Sequence, residues 1–157
     1  MRIDRGFTLI ELAVVVAIVG LLATVVVPMA ELTIKRSQEQ ALRRALREIR
    51  SGLDAYKAAV DAGRIPRRTG GSGYPPRLED LANGVADVKT PNQAKIYFLR
   101  SLPRDPLFPD SAVPAAETWG KRSYASPPDA PAEGEDVFDV YSLSEAKGIN
   151  GVPYRAW

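Results

Sequence analysis

Hydrophobic positions divide this chain into three regimes. Residues 7–30 form an apolar run in which Glu11 is the only charge. At about 1.5 Å per residue, a helix of that length extends roughly 36 Å, enough to cross the roughly 30 Å hydrocarbon core of a bilayer with some tilt. The pattern then stays helical but becomes amphipathic: Leu42, Leu46, Ile49, Leu53, Tyr56 and Val60 recur at spacings of 4, 3, 4, 3 and 4, and Ala45 and Ala59 widen the stripe. Arg43, Arg44, Arg47, Glu48, Arg50, Asp54 and Lys57 lie between them, so one face is expected to pack and the other to be solvated. Pro28 is the only proline before Pro66. The spacing therefore predicts one long helix, disturbed near Pro28 where a backbone donor is lost, and ending at Gly63.

The third regime begins at Ile65. Twelve of the 13 prolines lie beyond it, which disfavours further long helices and predicts a loop-rich domain with short elements. Residues 64–73, with Pro66 and the Gly70-Gly71-Ser72-Gly73 run, read as a flexible connection. Residues 74–81 suggest one short helix with Leu78 and Leu81 inward. Ile96 opens a short apolar run that leads to Leu102-Pro103-Arg104-Asp105-Pro106, a turn or extended rim. Residues 118–124 and 137–142 are strand candidates, the second rich in β-branched and aromatic residues. The proline-bearing, acidic segment between them reads as a solvent loop. A small sheet needs an apolar partner, and the stripe from Leu42 to Val60 is the obvious one. The expected fold class is α+β: a long N-terminal helix, first transmembrane and then amphipathic, packed on a small loop-rich antiparallel sheet.

Composition narrows the chemistry. With 45% hydrophobic and 25% charged residues the chain has the makings of a folded protein. It has no cysteine, so disulfides and thiolate sites are excluded, and no histidine, which removes imidazole ligands and His-dependent triads. No catalytic constellation is visible, and the chain is expected not to be an enzyme. The net charge of +2 demands no polyanionic partner. The apolar run exceeds the usual signal-peptide core of about 7 to 15 residues, and Glu11 sits where such a core should be purely apolar. Basic residues flank the run on both sides, Arg2 and Arg5 before it and Lys35, Arg36, Arg43 and Arg44 after it. Charge alone therefore does not orient it across a membrane.

The sequence Gly6-Phe7-Thr8-Leu9-Ile10-Glu11 ahead of an apolar helix resembles the N-terminal signature of type IV pilins and type II secretion pseudopilins. The resemblance implies that a prepilin peptidase cuts between Gly6 and Phe7 and that Phe7 is then N-methylated. The family's assembly glutamate falls at Glu11 and its helix-disturbing proline at Pro28. The implied organisation is a leader at residues 1–6, a transmembrane assembly segment at 7–30, the amphipathic half of the helix at 31–63 and a periplasmic globular head at 64–157, with the pilin-like lollipop outline. The N-terminus would start in the cytoplasm, the protein being single-pass in the inner membrane.

Beyond Tyr74 the resemblance sharpens. Tyr74-Pro75 before a short helix, the Leu-Pro-Arg-Asp-Pro run at 102–106, Trp119-Gly120 before a tyrosine, Phe138-Asp139-Val140-Tyr141-Ser142-Leu143, and Trp157 together resemble the major, or G-type, pseudopilin of type II secretion. That implies a homo-oligomeric filament working with minor pseudopilins, an inner-membrane assembly platform and the prepilin peptidase, in the export of folded proteins. A surface type IV pilus subunit and a minor pseudopilin acting as a tethered binding module are the alternatives. Such pseudopilins typically bind calcium through an Asp- and Gly-rich loop after the last strand, with an aspartate three residues beyond the leucine. Here that position is Ala146, followed by Lys147. Glu145 and Asn150 are a thin supply for an ion that takes six to eight oxygens, so no cofactor is expected, calcium being the one candidate. Packing of Tyr154 and Trp157 is the expected means of pinning the tail.

Several plainer readings compete. Glu11 is near enough to the chain start to snorkel to the membrane edge. The sharper reading is an ion pair with the amine created at Phe7 by cleavage, which methylation leaves charged. Glu79 and Asp80 are adjacent and do not face each other on a helix, so they read as solvated surface. The arginines of the second half-helix alternate with acids and lack aromatic interleaving. Intersubunit salt bridging suits them better than nucleic acid, and no nucleic-acid partner is expected.

Overall fold

The structure, a computed structural model, describes residues 8–157. It has two compact units, divided between Ser37 and Gln38. Helix α1 (Leu9–Asp61) supplies the regular structure of the first unit among the described residues and opens the second.

In the first unit many large apolar side chains, among them Leu9, Ile10, Leu12, Val16, Leu21 and Met29, are exposed. This stretch makes α1 long and apolar enough to cross a membrane. The expected disturbance at Pro28 does not interrupt it: α1 is helical straight through that position. A proline deletes a single i→i−4 bond, and the turns on either side keep theirs. Hydroxyls bond back to the helix nearby, Thr24 Oγ1 donating to the Leu21 carbonyl at 2.7 Å and Thr33 Oγ1 to the Met29 carbonyl at 2.9 Å.

The second unit is organised around the amphipathic half of α1. Every residue of the expected stripe is buried, with Leu42 and Ile49 at 0% exposure. Each such aliphatic side chain removed from water is worth about 1.5 to 3 kcal/mol. The stripe packs against Leu78, Leu81, Leu99, Trp119, Val137, Val140 and Tyr154. The helix ends two residues before the expected Gly63. Gly63 adopts φ 68° just beyond it, and its N–H donates to Val60 while that of Arg64 donates to Ala59, both at 2.9 Å. This is a Schellman closure, and it needs a residue tolerant of the left-handed conformation at Gly63.

Residues 64–73 are held at several points, contrary to the flexible reading. Ile65 is buried in the core, Arg64 pairs with Asp87 at 2.7 Å, Arg67 pairs with Asp61, and Ser72 donates to Asp136. Composition suggested freedom, but one apolar anchor and three polar ones remove it. Asp87 itself is buried. The Lys89 backbone N–H and, after it, the Arg64 guanidinium hold its carboxyl below the usual carboxylate range. A depressed folded-state value adds stability above the unfolded value near about pH 3.9, and that stability is lost as pH falls through the lower folded value. Thermal melts of Asp87→Asn should therefore lie below wild type at neutral pH and approach it as the pH drops below about 4.

The short helix is a single turn, α2 (Asp80–Asn83), with Leu78 and Leu81 buried as expected. After it comes a strand pair that the sequence reading did not resolve, β1 (Val85–Ala86) antiparallel to β2 (Lys95–Ile96). Two-residue strands carry too little periodicity to be recognised. The two expected strands are present, β3 (Trp119–Arg122) shorter at both ends and β4 (Asp139–Ser142) starting two residues later, antiparallel with Trp119 opposite Ser142. Gly120 lies opposite Tyr141, whose ring covers it so closely that a Cβ there would fall 2.3 Å from a ring carbon. The Leu-Pro-Arg-Asp-Pro run leads into a turn, the Phe108 N–H donating to the Asp105 carbonyl at 3.1 Å, but it is not a rim. Asp105 is buried and accepts from Ser142 Oγ at 2.6 Å and the Leu107 N–H at 2.8 Å, and Trp119 Nε1 donates to the Pro103 carbonyl at 2.9 Å.

Candidate functional site

Gly6 and Phe7, the candidate cleavage and methylation positions, lie outside the described residues. The segment that follows them begins at Thr8, directly ahead of α1. The Glu11 carboxylate accepts from the Thr8 N–H at 2.9 Å and from Thr8 Oγ1 at 2.8 Å, while the Glu11 N–H donates to Thr8 Oγ1 at 3.3 Å. This Thr-x-x-Glu arrangement is a capping box, satisfying donors that the first helical turn leaves open. Capping is a role beyond the two expected of Glu11, snorkelling to the membrane edge and pairing with an amine, and its spacing of three from Thr8 was the signal for it. The carboxylate also lies at the positive end of the helix dipole, where negative charge is favoured. Pro28 lies within α1, 17 positions beyond Glu11.

In the head, a second group of polar residues sits where the chain after β4 returns to α1. Glu39 is buried at 8% exposure, and one of its oxygens accepts from the Ile149 N–H at 2.6 Å and from the Tyr154 hydroxyl at 3.1 Å. Burial, and then the bond to Glu39, push the Tyr154 phenol up, so it stays protonated and donating at physiological pH. Trp157 packs edge-on against Tyr154 at 5.0 Å, and the Arg43 guanidinium lies 4.3 Å from the Trp157 ring centre. Arg50 reaches three partners: Asp139 at 2.8 Å, the Val140 carbonyl at 3.3 Å and the Trp157 main-chain oxygen at 2.8 Å.

The sequence reading expected Tyr154 and Trp157 to pin the tail, and they pack as it described. It missed Glu39 and placed Arg50 on the solvated face. Glu39 lies three residues before Leu42 and seven before Leu46, in line with the buried stripe. A carboxylate in register with apolar neighbours was the available clue.

The residues around this loop do not fit a calcium ion. Among the described residues, no three Asp or Glu side chains come together to hold a metal. Asn150 Oδ1 accepts from the Val152 N–H at 3.1 Å, the carbonyls of Ala146, Gly148 and Val152 accept from main-chain N–H groups, and Lys147 stands within the loop. An ion needing six to eight oxygens, usually several of them carboxylate, would have to compete with these bonds for neutral oxygens beside a lysine.

A large cleft lies between residues 65–74 and 123–136. Its Ser72 and Asp136 are spent on each other, and the other Asp136 oxygen accepts from the Tyr124 N–H at 2.8 Å. Tyr74, Tyr124 and Phe138 pack as an aromatic cluster at its edge, with ring centres 5.0 to 6.1 Å apart. The pair braces two loops.

Comparison with known proteins adds to this geometry. Residues 1–27 match the prokaryotic N-terminal methylation motif. The chain is 28% identical over 155 residues to the type II secretion system core protein G of Dickeya chrysanthemi, covering 96% of this chain and 94% of the relative. It is 30% identical over 152 residues to that of Vibrio cholerae, covering 96% and 86%. It is also 39% identical to fimbrial protein Q of Moraxella bovis, over 67 residues that make up 43% of this chain and 41% of the relative. No solved structure matches. Methylation motif, long apolar helix and small antiparallel sheets are together those of an α+β protein of the type IV pilin class. Within that class the chain belongs to the type II secretion system core protein G family.

Proposed function

We infer that this chain is a structural subunit of the type II secretion pseudopilus. The observation that carries the reading is coverage. The matches to the Dickeya chrysanthemi and Vibrio cholerae core protein G extend over 96% of the chain, apolar helix and head alike, whereas the fimbrial match extends over 43%. The precursor inserts in the inner membrane through the first half of α1, with its head in the periplasm. A prepilin peptidase cleaves between Gly6 and Phe7, and Phe7 is methylated. Cleavage converts a peptide nitrogen at Phe7 into an ammonium, which methylation leaves charged. Glu11 thereby gains a cationic partner that the precursor does not offer, on a neighbouring subunit of the growing filament.

Assembly exchanges lipid contacts for helix contacts, so it is driven by packing and by this ion pair more than by a hydrophobic effect. Pro28, with one helix bond missing, is where α1 loosens most readily during that packing. Minor pseudopilins and an inner-membrane platform are the working partners, and the filament helps move folded proteins across the outer membrane. The subunit itself performs no catalysis, takes no cofactor and binds no nucleic acid.

Two measurements test this. Mass spectrometry of the protein from cells with and without the peptidase should show a species lacking Met1 to Gly6 and carrying one methyl group only when the peptidase is present. An unprocessed N-terminus in both would sink the processing scheme. Deletion of the gene should abolish release of exported proteins into the medium. Long surface filaments at native expression, with secretion intact, would instead favour a type IV pilus subunit, the reading that the 39% identity to the Moraxella bovis protein supports.

A further inference from the structure

We propose that Glu39 is a metal-free clasp for the chain after β4, doing with a side chain of α1 what a bound cation would do in such a loop. The proposal goes beyond the assembly role and does not depend on it. Its first support is polarity. A cation site turns oxygens inward, but this loop turns donors inward: the Ile149 N–H and the Tyr154 hydroxyl both meet a single Glu39 oxygen, at 2.6 and 3.1 Å. The loop is thus complementary to an anion, and α1 supplies one.

Its second support is space. Gly148 carries no side chain where the loop crosses α1. A Cβ there would fall 2.5 Å from the Trp157 ring and 3.3 Å from the Glu39 carboxylate. The missing side chain admits both groups. The third support is charge. Lys147 is part of the loop, Arg43 lies over Trp157, and Arg50 holds the Trp157 main-chain oxygen at 2.8 Å. These cations would repel a divalent ion while favouring the Glu39 carboxylate.

The loop also closes on itself without a ligand. Gly148 N–H donates to Val152 at 2.9 Å, Gly151 N–H to Gly148 at 2.9 Å and Tyr154 N–H to Ala146 at 3.1 Å, and Lys147 bridges Pro153. Glu39 then fastens this closed unit to the helix, one turn before Leu42 enters the core. Breaking the clasp frees the Ile149 part of the loop from α1 while Arg50 still holds Trp157 and the loop's internal bonds stay in place, so the effect is local.

The test uses the full chain in detergent. Thermal unfolding in excess chelator and in millimolar calcium should give the same midpoint. A midpoint about 4 °C or more higher in calcium overturns the proposal, that being the scale on which a saturating ligand stabilises a domain of this size. Hydrogen exchange then reads the clasp directly. Glu39→Leu should speed exchange at the Ile149 amide by about tenfold or more, with the amides of the Leu42 to Val60 stripe unchanged. Unaltered protection at Ile149 would refute the role of Glu39. If Glu39→Leu fails to fold, Glu39→Gln, which keeps an acceptor but not the charge, is measured the same way and should show a smaller acceleration at the same amide. No acceleration there would likewise count against the clasp.

Discussion

Replacing Glu11 by glutamine is expected to abolish filament assembly and secretion while leaving the protein inserted in the membrane and cleaved at Gly6. The substitution separates the capping role that the structure shows from the assembly role proposed for the same side chain. A glutamine at this position still completes a capping box with Thr8, so the first turn of α1 keeps its partners. What it lacks is charge. An acidic residue within a membrane segment carries a penalty of about 2.5 to 3.5 kcal/mol at mid-bilayer, and a neighbour's Phe7 ammonium is the partner proposed to offset it in the filament. The reciprocal variant, Thr8→Val, removes the cap and keeps the charge. It should weaken the helix start by about 1 kcal/mol yet preserve secretion. The readouts are exported protein in the medium and sedimentable filaments. Normal assembly of Glu11→Gln would remove the charge from the mechanism and leave Glu11 as a capping residue alone.

The second large effect is expected at Trp119. It is 2% exposed, starts β3, packs on the α1 stripe and donates to the Pro103 carbonyl at 2.9 Å. Trp119→Ala should destabilise the head by about 3 to 5 kcal/mol, through lost burial and the cavity left behind. Against a typical stability of about 5 to 15 kcal/mol, that is enough to leave a sizeable fraction unfolded. Trp119→Phe keeps most of the apolar contact and loses the N–H donor, so it should lose only about 1 to 3 kcal/mol. Thermal or urea unfolding followed by circular dichroism distinguishes the two. Because the apolar start of α1 belongs to a separate compact unit, membrane insertion of Trp119→Ala should be unaffected, and the variant should accumulate in the membrane without entering filaments. Equal stability of Trp119→Ala and wild type would show that β3 is not anchored through this ring.

What could be read in advance follows the range of the interactions involved. Helix periodicity is local, repeated over many turns, and so the apolar run, the stripe from Leu42 to Val60 and the single long helix were all legible. Strand pairs β3 and β4 were legible through their aromatic and β-branched content. Strands β1 and β2 were not, because two residues carry no pattern and their pairing depends on a turn stabilised by Asp87. Residues 64–73 were misjudged because glycine content describes what a backbone can do, whereas Ile65, Arg64 and Ser72 decide what it does here. The same holds for Asp105, whose flanking prolines mark a turn or a rim but say nothing of its burial.

The amino-acid sequence by itself determined the membrane-length apolar helix, the placement of Glu11 and Pro28 along it, and the face on which the head is built, since each depends only on spacing along one helix. The tertiary structure decided how the head is closed. Glu39 meets Ile149 across 110 positions of sequence, and Arg50 reaches Trp157 across 107. Neither pairing has a local signature, because a hydrogen bond between such distant residues exists only once the core between them has packed. That packing turned a carboxylate and an arginine of an amphipathic helix from solvent-facing charges into the fastening of the last loop.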